Sequence, residues 1–136
     1  RLYSLNKTLT RLYAPLLKEL DLTYPQYLVM LTLWEQALAG ELSLSVKSLG
    51  KMLDLDSGTL SPLLKRMEQA NLVKRTRSDK DERTVLVSLT AHGKHIKQKA
   101  KHIPAKLFAL TGLSKEEMVN LQQTLDKLLE NTKANL

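Results

Sequence analysis

Cysteine is absent from this chain of 136 residues. That excludes disulfides within the chain, thiol chemistry and cysteine-based zinc sites, and it suits a cytoplasmic protein. Aromatic residues are scarce at 4%, with one Trp and one Phe, so the core must be built largely from leucine. No apolar run approaches the ~18 residues needed to span a bilayer, so no membrane partner is expected, and no signal peptide is visible. Gly-rich phosphate loops, nucleophile elbows and His-Glu-x-x-His are all missing, which argues against an enzyme. Acidic residues are missing from Thr84 to Ser114, where Lys94, Lys97, Lys99, Lys101 and Lys106 fall together with His92, His95 and His102. His95 and His102 stand two helical turns apart, but no carboxylate or thiol completes a ligand set, so neither metal nor cofactor is expected. The chain opens on Arg1, already inside an apparent helix, so a native N-terminus further upstream is expected.

What is present is basic charge and helical periodicity. Lys plus Arg outnumber Asp plus Glu by 21 to 14, giving +7; such a balance permits a polyanionic partner without proving one. Leu2, Leu5, Leu9, Leu12, Leu16, Leu17 and Leu20 mark one face of a first helix over residues 2 to 20, which Pro15 is expected to bend or break. Thr23-Tyr24-Pro25-Gln26 is a capping box opening a second helix to about Ala39, with Tyr27, Leu28, Leu31 and Trp34 as its core and Gly40 as its stop. Leu42 to Leu44 suggests a very short strand. Ser45 caps a helix over residues 46 to 53, with Val46, Leu49, Met52 and Leu53 inward. After a turn at Asp54-Leu55-Asp56 comes a helix from Ser57 to about Ala70, its stripe Leu60, Leu63, Leu64 and Met67. Pro62 argues for a later start. The earlier one is preferred because Gly58, four residues back, relieves the crowding and keeps the turn short.

Residues 72 to 77 and 83 to 89 then read as two strands around a turn at Ser78 to Glu82. Thr90 caps a long helix to about Leu110, which Pro104 should kink. Ser114 to Glu117 is a second capping box. It opens a last helix with Met118, Leu121, Leu125, Leu128 and Leu129 on one face. The expected fold is mainly α with a small β-hairpin wing (α+β): a winged helix-turn-helix over 42–90 within a single domain of 1–136, with 1–39 and 91–136 chiefly dimerisation helices.

That order of elements points to double-stranded DNA as partner, with one helix in the major groove and a basic wing on phosphates or in the minor groove. Ser57, Thr59 and Ser61 let the helix come close to base edges. Arg66 reaches guanine or phosphate. Lys65, Arg75, Arg77 and Lys80 supply phosphate contacts. Arg83 serves the minor groove, with Asp81 holding its guanidinium in a fixed pose. The plainer alternative is a capped helix with a solvated basic face and an ordinary charged turn.

Asp81-Glu82-Arg83-Thr84-Val85-Leu86-Val87-Ser88-Leu89-Thr90 resembles the D-x-R-x5-L-T wing signature of MarR-type transcription regulators. Leu22 to Met30, Leu33 to Glu35 and Leu55 to Glu68 are similar to OhrR, the branch of that family that senses organic hydroperoxides. The resemblance implies a homodimer with interlocking terminal helices that represses a gene from a pseudo-palindromic operator. Its effector would be an organic hydroperoxide. The resemblance also implies a reactive cysteine near the start of the first helix, held as thiolate by tyrosines that match Tyr3, Tyr13 and Tyr24. That cysteine is expected just before Arg1. The connection from Gln36 to Ser45 is several residues longer than the family's usual one. Two alternatives stay open: gating by a small aromatic ligand, and a winged helix used only for protein association.

Overall fold

Ten elements follow one another in the computed structural model, which describes residues 1–136. Helix α1 (Leu2–Lys18) runs through Pro15 without breaking. Helix α2 (Tyr24–Leu38) opens with the expected capping box. The Thr23 hydroxyl accepts from the Gln26 N–H at 3.3 Å, and the Gln26 side chain accepts from the Thr23 N–H at 3.1 Å. Strand β1 (Ser43–Ser45) leads into α3 (Val46–Leu53), and α4 (Ser57–Gln69) follows. Helix α4 starts at Ser57 and continues through Pro62, as Gly58 permits; Asp56 caps it by accepting the Thr59 N–H at 2.8 Å. The hairpin is β2 (Val73–Arg77) and β3 (Val85–Leu89), after which Thr90 caps α5 (Ala91–Ala100).

The first four helices end in one way. The N–H of Leu22 bonds to Leu17, Glu41 to Gln36, Leu55 to Gly50 and Leu72 to Met67, each closing a six-residue loop around a left-handed residue. Those residues are Asp21, Gly40, Asp54 and Asn71. This is the Schellman closure, and Asx residues are the non-glycine types that tolerate the conformation at lowest cost.

The short strand does not stand alone. β1 pairs antiparallel with β3, giving a three-stranded sheet in the order β1-β3-β2. The hairpin strands are also shorter than the sequence suggests: β3 begins at Val85, so Arg83 lies in the turn. Val87, at the centre of β3, is fully buried.

The core of residues 1–101 is formed by Leu17, Tyr27, Met30, Leu49, Leu60, Leu64, Met67 and Val73, all buried. Burying a Leu or Met side chain contributes about 1.5–3 kcal/mol. Core assignments in α2 and α3 differ from the periodicity reading. In α2, Val29, Met30 and Leu33 are buried while Leu28 and Leu31 are only half-buried, because α2 is covered on more than one side. Met52 of α3 is exposed. The buried Trp34 indole donates to the Gly93 carbonyl at 3.0 Å, tying α2 to α5. Gly93 itself packs directly on the Leu72 carbonyl, where a Cβ would collide.

Residues His102–Leu136 form a second compact unit. The expected long helix with a kink at Pro104 is instead two helices: α5 stops at Ala100, and α6 (Ile103–Thr111) begins with Pro104 in its first turn. Proline is favourable there because it removes an N–H that has no intrahelical partner. Helix α7 (Lys115–Ala134) opens with the expected Ser114–Glu117 capping box and buries no residue. Its leucines at 121, 125, 128 and 129 are 37 to 56% exposed. No helix is long and apolar enough to cross a membrane.

Candidate nucleic-acid interface

Helix α4 is amphipathic in a useful sense. Leu60, Leu63, Leu64 and Met67 are buried, which fixes the opposite face outward. Ser57, Thr59, Ser61, Lys65 and Arg66 are all exposed. Helix α3 comes close behind it. A Cβ on Gly50 would lie 2.8 Å from the Leu55 carbonyl, so only glycine lets α3 sit this near the turn that feeds α4.

The wing tip is organised by one carboxylate. Asp81 accepts the Arg83 backbone N–H at 3.0 Å and the Thr84 hydroxyl at 3.2 Å. The Ser78 N–H donates to the Thr84 carbonyl at 2.9 Å, and the Arg77 guanidinium donates to the Glu82 carbonyl at 2.7 Å. The sequence expectation that Asp81 holds the Arg83 guanidinium is therefore corrected. Asp81 holds the Arg83 backbone, and the guanidinium is exposed and unpaired. Two residues of separation favour an Asx-type bond to the main chain over a side-chain pair.

Arg75 is engaged inside the protein. Its backbone N–H donates to Glu68 at 2.9 Å, and its guanidinium donates to the same carboxylate at 3.1 and 3.3 Å. The backbone hydrogen bond, and then the guanidinium, hold the Glu68 carboxyl below its usual range. This tie fastens the end of α4 to β2.

Two grooves flank the start of α4. One, of about 680 Å³, lies between α3 and α4, with Lys47, Lys51, Asp54, Asp56 and Ser57 among its lining residues. The other, of about 360 Å³, lies between α4 and the wing. It brings Ser61 of the helix and Arg83 of the wing to one place, together with Arg75, Thr84 and Lys47. Lys47 lines both grooves, and reasoning from sequence passed over it. Its position one residue into a helix-turn-helix, beside the Ser45 cap, was the available signal.

Of the three candidate sensor tyrosines, two meet. Tyr13 and Tyr24 have ring centroids 4.9 Å apart, and Tyr27, read from sequence only as core, lies 5.7 Å from Tyr13. Burial, then the neighbouring Tyr13 and Tyr24, push the Tyr27 hydroxyl up to about 12; burial and then Tyr24 also raise Tyr13. These two hydroxyls keep their protons at neutral pH and can act as donors. Tyr3 does not join them. It is exposed, with the Lys7 ammonium over its ring at 5.6 Å, and it lies ten residues earlier on α1, about 15 Å along the axis. No group of three or more metal-binding side chains is brought together.

A helix-turn-helix backed by a three-stranded sheet, with a cationic hairpin beside an exposed polar helix, defines the winged-helix class. The chain belongs to the MarR-type winged-helix transcriptional regulators. The family model described as transcriptional regulator SarA/Rot matches residues 11–100. The chain is 48% identical over 129 residues to the organic hydroperoxide resistance transcriptional regulator of Bacillus subtilis, covering 95% of this chain and 84% of that one. Among solved structures, reduced AbfR bound to DNA superposes with a TM-score of 0.80 at 33% identity, over 97% of this chain and 87% of that one. A MarR mutant from E. coli complexed with operator DNA gives 0.82 at 27% identity, over 94% and 90%.

Proposed function

We propose that this regulator is a cytoplasmic, non-enzymatic, dimeric repressor that binds a pseudo-palindromic operator and responds to organic hydroperoxide. The observation that carries the reading is the shared groove of α4 and the wing, where Ser61 and Arg83 converge. Ser57, Thr59, Ser61 and Arg66 enter the major groove; Arg83, its backbone set by Asp81, enters the minor groove. Lys65, Arg77 and Lys80 contact phosphates. Arg75 contributes field more than contact, because Glu68 already occupies its guanidinium. Residues 42–90 read DNA, and residues 1–39 and 91–136 chiefly pair with a second copy. The exposed leucines of α1 and α7 support that pairing.

The B. subtilis relative supports the choice of effector, and the Tyr13–Tyr24 pair offers hydroxyls to a polar sensing group. No thiol within residues 1–136 can do the sensing, since the chain has no cysteine. The test is a gel shift on promoter duplexes across a salt series, with and without cumene hydroperoxide, using the protein as encoded. Salt-dependent protection of a two-fold site, released by the peroxide, is expected. Binding that peroxide leaves untouched removes the effector assignment, and no binding to any duplex removes the whole reading.

A further inference from the structure

We propose that the groove between α4 and the wing seats the phosphodiester strand that separates the two DNA grooves, and that Lys47 of α3 anchors it. The inference rests on the DNA-reading proposal above and adds a site to it. A duplex presents a sugar-phosphate strand between each major groove and the adjacent minor groove. With α4 in the former and the wing tip in the latter, that strand has to cross the space between them. In this protein that space is the groove of about 360 Å³ holding Ser61, Arg83, Thr84, Arg75 and Lys47.

Charge decides between the two grooves. The α3–α4 groove sets Lys47 and Lys51 against Asp54 and Asp56. The α4–wing groove has three cations and no carboxylate among its lining residues. Of those cations, Arg75 is held by Glu68, and Arg83 sits in the wing turn before β3, where the proposed reading assigns it to the minor groove. Lys47 remains. It is exposed, engaged in no ion pair, and on a different element from the other two. Its ammonium suits a phosphate oxygen as a compact point charge, and the Ser61 and Thr84 hydroxyls add short polar partners. A phosphate contact carries no base information, so Lys47 sets register and affinity while α4 and Arg83 set sequence.

The experiment is a salt series of operator affinity for the full protein, with Lys47→Ala, Lys47→Arg, Lys51→Ala and Arg83→Ala beside the parent. Lys47→Ala should lower the magnitude of the log K against log salt slope by about 0.9 per subunit and weaken specific and non-specific duplexes alike. Lys47→Arg should restore the slope. Lys51→Ala should leave it near the parent value, since that side chain lines only the groove with the aspartates. Ethylation interference at the phosphate between the major-groove and minor-groove contacts should be strong for the parent and absent for Lys47→Ala. A parental slope for Lys47→Ala, alongside weakened binding by Arg83→Ala, overturns this inference and leaves the DNA-reading proposal standing. An equal loss for Lys51→Ala also overturns it, because it marks a general field effect rather than a seat. If the parent itself shows no salt-dependent binding, both fall together. All four variants change exposed positions, and unchanged thermal melts confirm that they fold.

Discussion

Helices α4 and α7 are both capped, amphipathic and leucine-bearing, yet they are used in opposite senses. α4 buries Leu60, Leu63, Leu64 and Met67 and turns hydroxyls and cations outward. α7 buries nothing and leaves Leu121, Leu125, Leu128 and Leu129 exposed. Exposed apolar stripes of this length mark interaction surfaces. The difference teaches that an amphipathic pattern identifies two faces but not which of them does the work. In α4 the polar face is free to meet a ligand; in α7 the apolar face is free to meet a protein.

The largest expected effect separates the two helices. Leu64→Ala should cost about 2–5 kcal/mol, because the residue is fully buried and its cavity cannot close. Urea denaturation of the variant measures it, and a loss below about 1 kcal/mol would mean that α4 is not clamped as described. The matching change in α7, Leu125→Asp with Leu128→Asp, should act on association instead. The dimer dissociation constant should rise at least about 100-fold, or about 2.8 kcal/mol at 1.4 per decade. Sedimentation across a concentration series reads it, and an undisturbed dimer would assign the stripe to another partner.

Removing the caps sharpens the contrast. Asp56→Ala and Ser114→Ala each delete a side-chain acceptor at a helix start, worth about 0.5–2 kcal/mol. Asp56→Ala should also weaken operator binding, because it frays the end of α4 that carries Ser57 and Thr59. Ser114→Ala should leave DNA affinity per dimer unchanged. Equal effects on binding would erase the functional distinction between the helices.

The smallest effect is one of pH. Glu68, beyond the middle of α4, and Glu117, in the first turn of α7, are both held below the usual carboxylate value of 4.5. The first-ranking cause in each case is a backbone N–H, from Arg75 and Ser114 respectively. A depressed folded value means that the unfolded chain binds more protons in the acid range. The stabilisation is complete above about 4.5 and is lost as pH falls through the folded value. Glu68→Gln should flatten part of the acid limb of a stability–pH curve. An unchanged limb would show that the Arg75 tie is not maintained in solution.

Much of this was legible from sequence because it is local. Thr23, Ser45, Thr90 and Ser114 announce helix starts through side-chain chemistry that reaches only three residues, and each cap is present. The early start of α4 followed from Gly58 standing where Pro62 would otherwise crowd. What stayed hidden depends on partners distant in the chain. β1 is too short to declare itself without β3, and Glu68 gave no hint that it would take Arg75. Asp81 had two possible uses for its carboxylate, and proximity in sequence could not say that main chain would win over guanidinium. Lys47 reads as an ordinary surface lysine until the wing folds back beside it. Pro104 signalled an interruption, but whether the helix bends or restarts was decided by the turn at 101–102.

Ser45 holds two posts at once. It is the last residue of β1, paired with Leu86 in the wing's inner strand, and its hydroxyl caps α3. The base of the hairpin and the start of α3 are thereby coupled through a single residue. Motion at the base of the wing is therefore passed to α3. The base of the wing and α3 are expected to move as one piece, which paired distance labels on the two would show as a fixed separation with and without DNA.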